Sequence, residues 1–118
     1  MKVNILGTPY NIRYVKYGED PYMEKMSFDA YCDGNTYEIV VVNQKTNPAW
    51  DGEPEKGIED YRKKTIRHEI IHAFLNESGL QGNSNVFTLP WAKNEEMVDW
   101  IAVQAPKILK AFEQAGVL

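Results

Sequence analysis

The pattern of apolar and polar positions changes character near the middle of the chain. Up to about residue 46, apolar residues alternate with polar ones or form short blocks of β-branched and aromatic side chains, as strands do. Ile12 and Tyr14 alternate with Arg13 and Val15, and Tyr37-Glu38-Ile39-Val40-Val41-Val42 is rich in strand formers. Gly7-Thr8-Pro9 marks a turn between strands expected near 2–6 and 9–17. Gly18-Glu19-Asp20-Pro21 breaks the pattern, and a short helical turn is expected after it. Asp33-Gly34-Asn35 is a hairpin turn joining strands expected near 27–32 and 36–43.

Asn47-Pro48 and Asp51-Gly52-Glu53-Pro54 read as an exposed acidic loop. From about Gly57 to Ser78 the spacing becomes helical: Ile66, Ile70, Ala73 and Phe74 share a stripe, and Gly79 stands where a left-handed cap ends a helix. Residues 80–89 carry Gly, Asn and Ser and read as loop. A second helix starts between Pro90 and Glu95, with Glu95 and Glu96 suited to its first turn. Pro106 is expected to kink or restart it, and Gly116 to close it. The predicted architecture is α+β: an antiparallel β-meander followed by helices, in one domain over 1–118 that is β-rich in 1–46 and helical in 57–116.

With 118 residues, 43% of them hydrophobic, the chain can bury a core without disulfides. The single cysteine, Cys32, rules out an internal disulfide and points to a reducing, cytoplasmic setting; it is expected to be a buried strand residue. The N-terminus lacks the apolar run of a signal peptide, and no stretch approaches the ~20 apolar residues of a membrane span. A net charge of −4 with scattered basic residues argues against a nucleic-acid partner. Arg62-Lys63-Lys64 reads as a solvated helix face, and Trp50, Trp91 and Trp100 as residues that pack helices on the sheet.

The candidate chemistry lies in His68-Glu69-Ile70-Ile71-His72. Histidines four apart on a helix project from one face, so both rings can reach one metal ion. Glu69 lies beside that metal, where it can act as general base towards a metal-activated water and then protonate the leaving amine. The chain has only two histidines, and both are in this motif. A catalytic zinc usually has three protein ligands and an open position; with no third histidine, and a lone strand cysteine a poor donor, the third ligand is expected to be a carboxylate. Asn94-Glu95-Glu96-Met97-Val98-Asp99 supplies several on the next helix. Glu95 and Asp99 share a face, so one can bind the metal while the other accepts the N–H of a ligating histidine; Glu96 is the alternative ligand.

These residues resemble the gluzincin branch of zinc metallopeptidases, whose signature is HExxH followed on a later helix by Asn-Glu-x-x-x-Asp. The chain offers His68-Glu69-x-x-His72 and Asn94-Glu95-x-x-x-Asp99, within a resemblance extending from about 28 to 106. Its size and order of elements look like the minimal, zincin-like domains of IrrE/ImmA-type peptidases and of relatives encoded by phages and mobile elements. The resemblance implies zinc held by His68, His72 and Glu95, Glu69 as general base, Asp99 orienting a histidine, and a protein or peptide substrate. It also implies that a strand before the HExxH helix, here Tyr37 to Asn43, edges the cleft and pairs with the substrate. The chain departs from larger gluzincins in having no second lobe to supply an oxyanion stabiliser; that role is unassigned among its seven tyrosines, Tyr61 or Tyr31 for instance. The competing expectation is a catalytically silent, zinc-stabilised interaction module of phage or mobile-element origin.

Overall fold

The computed structural model describes residues 1–82 and 89–118. The expected loop at 80–89 lies largely outside them. The first hairpin joins β1 (Lys2–Ile5) to β2 (Thr8–Lys16). Its turn is Leu6-Gly7, one residue earlier than expected, with both residues at positive φ (51° and 94°). That is the backbone twist a two-residue hairpin loop needs, and the Asn4 side chain accepts the Gly7 N–H at 2.8 Å. Helix α1 (Pro21–Met26) follows, capped by Asp20, which accepts the N–H groups of Tyr22 and Met23.

The second hairpin joins β3 (Ala30–Asp33) to β4 (Glu38–Asn43). Asp33 organises its turn, accepting the Asn35 N–H at 2.8 Å. The two hairpins do not make an antiparallel meander. The sheet order is β1-β2-β4-β3, and β2 pairs with β4 in parallel, Ile12 opposite Ile39 and Val15 opposite Val42. The reason lies in Ile39-Val40-Val41-Val42, which are all buried: such a run suits a central strand covered on both faces. Ile39 and Val41 join Ile5, Tyr10, Ile12 and Ala73 on one face, whereas Val40 and Val42 join Val15 and Met23 of α1 on the other.

Helix α2 (Glu55–Glu77) lies on the first face, with Ile66, Ile70 and Ala73 against the sheet. Phe74, expected on the same stripe, is exposed. At the far end of α2 the Glu77 carboxylate accepts the Tyr10 hydroxyl at 2.7 Å and the Thr8 hydroxyl at 2.8 Å, fastening the first hairpin to the helix. Gly79 has the positive φ expected after a helix end.

Helix α3 (Glu95–Ala115) begins at an Asn94 cap and ends at left-handed Gly116. Pro106 neither ends nor restarts it. Val98 and Ala102 are buried, whereas Trp91 and Trp100 are exposed rather than packed on the sheet; only Trp50 packs, against the Tyr61 ring at 4.7 Å. The molecule is thus a mixed α+β fold, a four-stranded sheet with two long helices. No helix among the described residues is long and apolar enough to cross a membrane.

Tyr10 is fully buried, and its hydroxyl donates to the half-buried Glu77 carboxylate. Tyr10→Phe is expected to lower the unfolding free energy by about 1–3 kcal/mol in a urea titration.

Candidate metal centre

Helix α2 presents His68 and His72 one turn apart, and the start of α3 brings Glu95 to them. His68 Nε2 lies 3.1 Å from His72 Nε2 and 2.8 Å from Glu95 Oε2, and His72 Nε2 lies 3.2 Å from Glu95 Oε1. Among the described residues these three form a cluster whose donor atoms, all within 4.8 Å of one another, could hold a metal ion. Glu96, the alternative third ligand, is not part of it.

The outward nitrogens decide what the inward ones can do. His72 Nδ1 lies 2.5 Å from the Ala92 carbonyl oxygen, and His68 Nδ1 lies 3.1 Å from Asp99 Oδ1. Both partners are acceptors, so in the tautomer with the proton on Nδ1 each ring donates outward and turns its Nε2 lone pair inward. Two Nε2 nitrogens and a carboxylate converge at contact distance. A proton can occupy one edge of that triangle but not all three, whereas a cation at its apex satisfies every corner. For zinc bonds of about 2.05 Å a tetrahedral edge is about 3.3 Å, close to the edges found. The donor set therefore fits a zinc ion, with Asp99 and the Ala92 carbonyl holding the rings.

Asp99, expected to orient a histidine, lies within hydrogen-bonding distance of His68 Nδ1. The Ala92 carbonyl carries no sequence signal, because any residue supplies one. It is placed by the helical turn Trp91–Lys93 and by the Ala92 N–H, which donates to the Leu80 carbonyl at 3.1 Å.

Glu69 is 6% exposed, and burial first, then the Glu95 charge, pushes its carboxyl up to about 8. It lines a cleft of about 710 Å³ together with both histidines, Glu95 and Asp99. Cys32, half-buried on β3, lines the same cleft, and burial, with Glu69 next, pushes its thiol up to about 12. It is inert as a nucleophile at neutral pH.

The cleft runs along β3, with Phe28 to Cys32 on its wall. Strand β4, expected to edge it from Tyr37 to Asn43, is instead enclosed between β2 and β3, and β3 is the edge strand. Tyr61 and Tyr31 both line the cleft, but their hydroxyls donate elsewhere: Tyr61 to Asp29 at 2.6 Å, Tyr31 to Asp20 at 3.0 Å. Burial and Asp29 push the Tyr61 hydroxyl up to about 12. Nor is Arg62-Lys63-Lys64 only a solvated face. Arg62 donates to Glu59 and to the Tyr14 hydroxyl, and Lys64 lines the cleft with its ammonium 5.2 Å from the Tyr61 ring centre.

No family model, curated protein or solved structure matches this chain.

The raised Glu69 carboxyl has a consequence for the metal-free protein. The folded state keeps this proton up to about pH 8, whereas the unfolded chain releases it near the ordinary value of 4.5. Between those values the folded state binds more protons, so this contribution to stability is full at low pH and is lost as pH rises towards 8. Urea unfolding of chelator-treated protein at pH 5 and pH 8 should show a decline on the order of a few kcal/mol, which Glu69→Gln flattens.

Proposed function

We propose that the chain is a zinc-dependent peptidase of gluzincin type, with His68, His72 and Glu95 as metal ligands and Glu69 as general base. The observation that carries the reading is the convergence of two Nε2 lone pairs and a carboxylate beside a buried glutamate in an open cleft. A zinc ion bound there supplies a Lewis acid that polarises a carbonyl and makes a water acidic enough to ionise near neutral pH.

The protein's own residues supply the rest. Asp99 and the Ala92 carbonyl keep the Nε2 lone pairs aimed at one point. Glu69 takes a proton from the attacking water and delivers it to the departing amine. Burial and Glu95 raise its affinity for protons in the metal-free protein, and a cation on the three donors would lower it again, leaving a carboxylate able to act as base. An extended peptide would add alongside β3, whose outer edge has no strand partner among the described residues. The order of sheet, HExxH helix and glutamate helix supports a zincin-like arrangement.

A second reading, a zinc-stabilised module without catalysis, is favoured by one specific observation. Tyr61 and Tyr31, two of the tyrosines lining the cleft, already donate their hydroxyls to carboxylates. The two readings share the metal and differ in peptide cleavage.

Purified protein is expected to hold about one zinc per chain, and Glu69→Gln to keep it while losing cleavage of an unstructured protein substrate. Equal cleavage by wild type and Glu69→Gln overturns the peptidase reading. Zinc-stabilised protein that never cuts selects the silent module. Glu95→Ala should weaken zinc binding by at least about tenfold in a chelator competition, whereas Glu96→Ala leaves it unchanged.

A further inference from the structure

Pro106 sits inside α3 without breaking it, and its partner four residues earlier explains how. Within a helix each carbonyl accepts the N–H four residues on, and proline has none to give. Pro106 therefore leaves the Ala102 carbonyl free, and the proline ring crowds that oxygen outward. The helix tolerates this because Arg67 Nε donates to the Ala102 carbonyl at 2.6 Å. Arg67 is on α2, immediately before His68, and Ala102 is fully buried.

We propose that Arg67 is a positioning residue of the metal centre: its bond to the carbonyl freed by Pro106 locks the register of α3 against α2. This rests on the zinc reading above, since what the register places is Glu95 and Asp99 at the two nitrogens of His68. The carbonyls in the interior of a helix are otherwise occupied by its own amides, so an arginine has little reason to prefer one over the next. Ala102 is different because Pro106 is the one proline within α3. Sliding α3 by one residue displaces it about 1.5 Å and turns it about 100°. Either change takes the Glu95 oxygen from 2.8 Å and the Asp99 oxygen from 3.1 Å out of bonding distance of His68. Glu95, Asp99, Ala102 and Pro106 follow one another along one side of α3 at spacings of four, three and four, so the lock and the site share a stripe.

A purely structural role, in which Arg67 only satisfies a stray carbonyl, makes the opposite prediction for Pro106→Ala. That change returns an N–H to Ala102 and improves helix propensity, so a structural role leaves zinc binding intact. Under the register lock, Pro106→Ala melts no lower than wild type without metal, yet binds zinc about tenfold more weakly in a chelator competition. Arg67→Met weakens zinc to a similar degree, the double variant is no weaker than the singles, and Arg67→Lys, still a donor, recovers most of the affinity. In zinc-free protein the imidazole N–H resonance of His68, set by its bond to Asp99, shifts in both Pro106→Ala and Arg67→Met. Wild-type affinity in Pro106→Ala, or its return in the double variant, overturns the proposal. If wild type itself binds no zinc, the metal reading falls, and an unmoved His68 resonance then overturns the register lock as well.

Discussion

The two outward-facing Nδ1 atoms on α2 are the constraint around which the rest of the site is arranged. Each lies against an acceptor, and both acceptors come from residues 92–99: the Ala92 carbonyl for His72 and the Asp99 carboxylate for His68. Once these are satisfied, the rings cannot turn without losing a bond, and their other nitrogens face one point. Everything that places residues 92–99 therefore also shapes the candidate metal centre. The Trp91–Lys93 turn, the Asn94 cap and the buried Val98 and Ala102 all act on the same few ångströms.

A second requirement is imposed from beneath. Glu69 is buried beside the candidate metal ligands, and an isolated carboxylate is costly to hold in such a place. Without a cation it keeps its proton, because burial and the nearby Glu95 both oppose ionisation. A cation on the three donors would pull in the other direction. The buried acid and the converging lone pairs thus have matched needs, one for positive charge nearby and the other for positive charge at contact. The sheet makes this possible by supporting α2 through Ile66, Ile70 and Ala73, which fixes the rotation of the helix.

Much of this arrangement was legible in local sequence. The spacing of His68 and His72 on a helix, the pairing of Glu95 with Asp99, the Asp33-Gly34 turn and the Gly116 cap are all short-range features, and short-range chemistry determines them. The sheet order was not legible in that way. Parallel pairing of β2 with β4 depends on the link through α1, which carries the second hairpin round to meet β2 with its second strand rather than its first. One signal was present: four consecutive apolar residues from Ile39 to Val42 fit an enclosed strand better than an edge, and all four are buried. Other features depend on helix rotation and on backbone groups. Trp91 and Trp100 face outward, Lys64 faces the cleft, and the Ala92 carbonyl holds His72, none of which residue type alone reveals.

The proline in α3 carries a more general lesson about how helices recognise one another. An ideal helix has screw symmetry, with each residue offering a neighbour the same backbone as the last, so only side chains distinguish one position from another. Deleting a single amide breaks that symmetry and turns one peptide unit into an address. Here the mark is read by Arg67 through the Ala102 carbonyl. In such a pair, identity along the axis comes from a missing group rather than an added one, a route to helix specificity that side-chain inventories overlook.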